Sequence, residues 1–416
     1  MKTKLLLLFL VLISITLHAA SPWNGTTIAT SYAGGNGSLA TPYQISSPEE
    51  LAYLGSLVNG GANYTGKYFI LTSNLDLNGQ SWTPIGNSTN SFKGTFDGNS
   101  HLISNLNVNL PSNTGVGLFG YVQDANIKNV GIVGTSIVTG SSNVGGIVGQ
   151  FTAYSVSGFG ISGCSSNATV TSGSSSGNVV GGIVGVFRTT ANDISSLINN
   201  CYSTGNISGI STSGINYVAG IVGKIEMGSV TGTLLTVSNS YATGTITATG
   251  GTSNFASGIA KIMSGVPLTV ANCYYIKGTG VTGASYKTAA EMQDPAFLTL
   301  INNSQSPAPW IADWTGGNSV NNGFPILSWR TVDGVTDIKS TVSSNGRVTV
   351  IGKRVKFETP VTINNMQLYN FGGQLVETKN INYAANNLSF DVQYAGVFLL
   401  IVQTTEGQLS QKIIVK

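Results

Sequence analysis

Few side chains in this 416-residue sequence are equipped for catalysis. Of its two histidines, His18 falls in an apolar N-terminal stretch, so a Ser-His-Asp triad would have to use His101, in GNSHLISNL. The zinc-peptidase pattern His-Glu-x-x-His is absent. Paired carboxylates would serve glycoside hydrolysis, yet between Gly115 and Tyr275 the acids are Asp124, Asp193 and Glu226, far apart in register. Asp76 in NLDLNG and Asp97 in FDGNSH can meet only if neighbouring coils of a repeat bring them together; the plainer reading gives both to turns. They lack EF-hand spacing, so no metal and no cofactor is expected.

A second group of residues suits binding. Cys164 (ISGC), Cys201 (INNC) and Cys273 (VANC) each follow an aliphatic residue by three positions, and Val130 and Ser240 occupy the same place in IKNV and VSNS. Small, buriable residues at one repeated position describe an inward ladder, with free cysteine acting as a small hydrophobe. Strand alternation then sends the next residue outward, which places Tyr202, Tyr241 and Tyr274 on one face. Such an aromatic ladder either binds sugar rings or stabilises adjacent strands. Thr-x-Thr pairs at Thr169–Thr171 and Thr245–Thr247 raise ice binding as a further possibility, against which uneven loops weigh.

The elements that must position these residues announce themselves by repetition. GLFG at Gly117 is followed by GIVG at Gly146, Gly182 and Gly220 and by a decayed GIAK at Gly258, at intervals of 29, 36, 38 and 38 residues. That period points to stacked supersecondary units. No Lys-Ser/Thr follows these glycines, so they are not phosphate loops; they serve corners where backbones approach closely. Two or more short strands per repeat predict an all-β parallel β-helix of six or seven coils, about 30 Å long at roughly 4.8 Å per coil. SPEELAYLGSLVNGG predicts one helix, with Ser47 as cap, Pro48 in the first turn, Glu50 closing the box and Gly60 ending it. It would cover the open end of the stack.

Composition narrows the function classes. Only 8% of residues are charged, 54 are glycine, and the net charge is +3, with Lys and Arg scattered along the chain. Nothing in that pattern provides the basic footprint of a nucleic-acid binder. Lys2 and Lys4, then LLLLFLVLISIT and the small residues Ala19 and Ala20, read as a signal peptide over residues 1–20. No later segment is apolar for the ~20 residues a membrane helix needs. Residues 21–330 form the repeat region, with an N-terminal cap and a closing segment. From about Val335 the glycine period stops, and residues 335–416 read as a separate strand-rich domain.

The segments WTPIG, FKGTFDGNSHLISNLNV, GVGLFGYVQDANIKNVGIV, the GIVG series and the closing NNGFPILSW resemble GLUG-motif proteins over roughly residues 42–330. That resemblance implies a secreted bacterial surface protein with a β-helical display region. The tail, with LYNFGGQLV, Gly396 and the strand Val397–Val402, Gly407 and the terminal KIIVK, resembles a type A C-terminal sorting domain of the type IX secretion system of Bacteroidetes. Val397 and Phe398 stand where that family has a tyrosine. The resemblance implies a small β-sandwich that engages the type IX machinery and is removed or retained as the protein is released or attached. The expectation is therefore a secreted, non-enzymatic surface protein that contacts glycans or host and other cell surfaces. The rival is a polysaccharide-degrading enzyme using Asp76 and Asp97.

Overall fold

The computed structural model describes residues 22–330 apart from 155–157, 190, 229, 264–267 and 314–319, and residues 347–415 apart from 352–353, 359–361, 371–374, 381–386, 393–395 and 406. The signal peptide expected over 1–20, the boundary near 335 and part of LYNFGGQLV lie outside the described residues. Hydrophobic and β-branched residues alternate along short runs, and many of the turns between them carry Gly or Asn at positive φ. Four parallel sheets result, to which successive repeats add strands, two per later repeat in one of them.

Sheet 1 runs in sequence order from Tyr43–Ile45 through Tyr68–Leu71, Thr95–Asp97, Asn126–Lys128, Phe159–Ser162, Ser195–Asn199 and Leu234–Ser238 to Leu268–Ala271. Sheet 2 runs from Leu75–Asp76 through Leu102–Ser104, Gly131–Val133, Ser165–Ser166, Tyr202–Ser203, Tyr241–Ala242 and Cys273–Tyr275 to Ala284–Tyr286. Sheet 3 starts with the long strands Asn107–Val116 and Ile137–Gly145. Beyond them it divides into one arm with Thr169–Ser174, Ile207–Ser211 and Ile246–Thr249, and another with Gly177–Gly181, Ile215–Ala219 and Ser253–Ser257. Sheet 4 holds Phe119–Gln123, Val148–Ala153, Val184–Thr189, Val222–Met227 and Ala260–Ile262. Sheets 1 and 2 thus have eight strands each, more than the six or seven rungs read from the glycine period. The early rungs lack the GIVG signature by which the later ones are counted.

In-register pairing stacks like on like. Phe69, Phe96, Ile127, Ile161, Ile198, Val237 and Val270 form one column of sheet 1, all facing the core. At the corner into sheet 2, Asn129, Gly163, Asn200, Asn239 and Asn272 each adopt positive φ, a conformation those residue types tolerate best. The next residues, Val130, Cys164, Cys201, Ser240 and Cys273, are all buried. A Cβ on Gly182 would come closer than 3.0 Å to the carbonyl oxygen of Gly220 and to the Ser203 side chain; one on Gly220 would meet Gly258 and Ala242 equally closely. The first glycine of each motif is therefore dictated by the neighbouring repeat and by the narrow interior opposite.

Helix α1 (Pro48–Asn59) matches the expected span. Ser47 Oγ accepts from Glu50 N, while Glu50 reaches Ser46 rather than Ser47. Its buried Leu51, Leu54 and Val58 join the same core as Ile45 and Leu71. Two further helices, α2 (Ala289–Gln293), with a Thr288–Glu291 capping box, and α3 (Pro295–Asn302), follow the last rungs. The C-terminal region is antiparallel. One sheet holds Arg347–Ile351, Arg354–Glu358 and Asn387–Asp391; the other holds Leu375–Asn380, Ile363–Asn370, Gly396–Thr404 and Gly407–Val415.

Candidate functional site

The alternation argument places Cys164, Cys201 and Cys273 inside, unpaired and buried. Burial pushes the Cys164 thiol well above its ordinary value and the Cys273 thiol up to about 12, so neither supplies a thiolate nucleophile at neutral pH. Tyr202, Tyr241 and Tyr274 do leave the opposite side of the strands, stacked in register, with the Tyr202 and Tyr241 rings nearly parallel and their centroids 5.1 Å apart.

Their expected exposure is corrected by the structure. Tyr202 is 1%, Tyr241 0% and Tyr274 7% exposed. The chain returns after the last rung and packs along the outside of sheet 2, burying Met292, Phe297, Ile301, Trp310, Phe324 and Leu327 against the tyrosines. Trp310 contacts both Tyr202 and Tyr241, Phe297 meets Tyr274 edge-on at 4.8 Å, and Trp329 donates to Gly163 O at 2.8 Å. The phenols are also engaged. Tyr241 donates to Pro325 O and accepts from Asn321 Nδ2, and Arg330 donates to Tyr202. A second hydrophobic core exists there, outside the first.

The acid pair serves separate corners. Asp97, where sheet 1 turns into sheet 2, accepts from Asn99 N and Asn129 Nδ2 and pairs with Lys128 at 3.1 Å. Asp76, where sheet 2 turns toward sheet 3, accepts from Asn78 N and Asn105 Nδ2. Each carboxylate closes a turn in its own coil and ties it to an Asn of the next. His101 N donates to Gly98 O in the turn after Asp97. Among the described residues there is no group of three or more His, Cys, Asp or Glu that could hold a metal ion.

Two outward surfaces remain accessible. The first is sheet 3, where Asn109, Thr139, Thr171, Ser208 and Thr247 form one registered column, the hydroxyls of Thr139 and Thr171 lying 3.0 Å apart. Exposed Ile137, Thr169, Asn206 and Thr245 run beside it. The second flanks the GIVG corner, where sheet 3 turns sharply into sheet 4. Residues seven apart touch across that turn: Thr114 with Tyr121, Asn143 with Gln150, and Lys224 Nζ over the Tyr217 ring at 4.8 Å. A cleft of about 250 Å³ also opens beside α1, lined by Trp23, Ile28, Asn59 and Trp82 among others. Both indole N–H groups there are spent on backbone carbonyls, of Thr27 and Leu118.

Residues 345–416 match the secretion system C-terminal sorting domain. This region marks the chain for type IX export and for the cell surface or the extracellular space. The chain is similar to Halomucin of Haloquadratum walsbyi, at 32% identity over 175 residues, 39% of this chain and 2% of that protein. It is also similar to a putative Gly-rich membrane protein of Evansella cellulosilytica, at 30% identity over 115 residues, 27% of this chain and 13% of that protein. The chain thus spans only a small part of the curated relatives it matches. No helix among the described residues is long and apolar enough to cross a membrane.

Proposed function

We infer that this is a non-catalytic surface-display protein of GLUG type. Its four parallel sheets are the faces of a β-helix whose coils stack in register, and its outer face makes adhesive or glycan contacts once the C-terminal β-sandwich has delivered it. The observation that carries this reading is the open face of sheet 3, where hydroxyl and amide side chains repeat in register from coil to coil. Such rows hydrogen-bond sugar hydroxyls weakly at each rung, and many rungs on many copies add by avidity.

The degradative alternative loses support because Asp76 and Asp97 stand at different corners with hydrogen bonds already made to each. Ice binding would need uniform threonine rows, but the coil between Thr169–Thr171 and Thr245–Thr247 offers Asn206 and Ser208. A glycan array run beside a reducing-sugar release assay tests the reading. Binding without sugar release is expected, and Thr171→Lys with Ser208→Lys should weaken it at unchanged melting temperature. Sugar release, or binding indifferent to both lysines, would overturn it.

A further inference from the structure

Four cationic residues occur between Asn107 and Met263: Lys128, Arg188, Lys224 and Lys261. The coil period gathers three of them on one outer corner, where sheet 3 turns into sheet 4. Arg188 pairs in register with Glu226, donating from Nε at 2.9 Å and Nη2 at 2.6 Å to Oε2, while Lys224 Nζ reaches Oε1 at 2.5 Å. Burial alone would push the Glu226 carboxyl up; the hydrogen bonds and charges of Lys224 and Arg188 outweigh it and hold the carboxyl below its usual range. Lys261, one coil on, holds its ammonium 3.8 Å from the centroid of the Phe255 ring, and Phe255 stacks on Tyr217 at 5.6 Å and 6°. Two cations therefore share the Glu226 carboxylate, and the third, Lys261, sits over Phe255 on the adjacent strand. The side chains of Lys224 and Glu226 are 16% and 27% exposed, whereas that of Arg188 is 43% exposed.

Beside them lies a cavity of about 360 Å³ lined by Arg188, Thr189, Lys224, Glu226, Met227 and Met263, with Gly228 at its rim, within the size range of small-molecule sites. The same corner is neutral in earlier coils, with Thr114–Tyr121 and Asn143–Gln150 in place of cations on rings. In a chain so poor in charge, a surplus of two cations on a half-buried aromatic shelf is a local feature rather than a background one. Rings that hold ammonium groups over their faces also limit the freedom those lysines would lose on binding.

We propose that the corner formed by Arg188, Lys224, Lys261, Tyr217 and Phe255 binds carboxylated polysaccharide. One uronate carboxylate of the polymer meets the exposed Arg188 guanidinium and another meets the Lys261 ammonium two strands away, and the sugar body rests on the Met227–Met263 side of the cavity. Arg188 spends Nε and Nη2 on Glu226 and keeps Nη1 for the ligand. The proposal rests on the reading of this chain as a glycan-contacting surface protein and names the charge class that this corner selects.

Affinity electrophoresis of the full chain through gels containing polygalacturonate or neutral dextran tests it. Retardation by polygalacturonate alone is expected, shrinking as salt rises from about 0.05 to about 0.5 M and the Debye length contracts. Lys261→Gln should weaken binding by about tenfold, the loss of one charge-assisted contact. Lys261→Glu should abolish it and Lys261→Arg should restore it, with melting temperatures unchanged throughout. Retardation that ignores all three Lys261 substitutions, or equal retardation by dextran, overturns the proposal. Dextran retardation lost in the Thr171→Lys, Ser208→Lys variant would leave the neutral-glycan reading of sheet 3 standing without it. Binding to anionic phospholipid vesicles but not to polygalacturonate would overturn it in favour of a lipid surface.

Discussion

Cys201 sits midway along an interior column between Cys164 and Ser240, with its Sγ near the carbonyls of Asn199 and Ile161 and no solvent contact. Its role is to be small. Cys201→Ala should therefore fold, with a loss of about 1–2 kcal/mol from the small cavity left behind. Cys201→Arg should not fold, because an unpaired guanidinium would be buried in the column. Urea titration measures the first outcome and soluble yield the second. A bulky thiol reagent should leave the native protein unmodified until denaturant is added; rapid native labelling would refute the inward column. The glycine at the start of each motif obeys the same close packing, since its neighbours across the interior are Ser166, Ser203 and Ala242.

At the scale of elements, sheet 2 is packed on both faces. The closing segment adds α2, α3 and the antiparallel pair Trp310–Ile311 with Ile326–Leu327. Parallel sheets are usually covered on both sides, and here one cover is the interior of the coil while the other is the returning chain. Tyr241 fastens that cover through ring contacts with Trp310 and through the bond to Pro325 O at 2.5 Å. Tyr241→Phe should cost about 0.5–1.5 kcal/mol, since the phenol's bonds are lost while Asn321 Nδ2 still reaches Phe324 O and Pro325 O. Replacing Tyr202, Tyr241 and Tyr274 together with alanine should release residues 287–330 to protease while the coils persist. Limited proteolysis read by mass spectrometry distinguishes the two; an uncleaved triple variant would show that the cover holds without the tyrosines.

For the whole molecule, the repeat region and the sorting region answer to different requirements. In-register parallel strands build a surface, and the antiparallel C-terminal sheets match a domain that secretion machinery recognises. Deleting residues 345–416 should strand the remainder in the periplasm, measured by fractionation and immunoblotting. Equal surface or medium levels with and without those residues would sever the link between this region and export.

What could be read from the residues alone follows local rules. Alternation decided that the cysteines point in and the tyrosines out, Ser47 and Pro48 announced α1, and the spacing of glycines announced stacking, because each depends on neighbours a few positions away or on a fixed period. The folded chain decided what lies against those faces. Tyr202, Tyr241 and Tyr274 are covered by Phe297, Trp310 and Phe324, which no period links to them. Arg188, Lys224 and Lys261 look scattered in the linear sequence because each lies about one repeat from the next; parallel pairing of successive repeats puts them on adjacent strands. Burial and charge density are properties of surfaces brought together from distant positions, so only the tertiary structure could settle them.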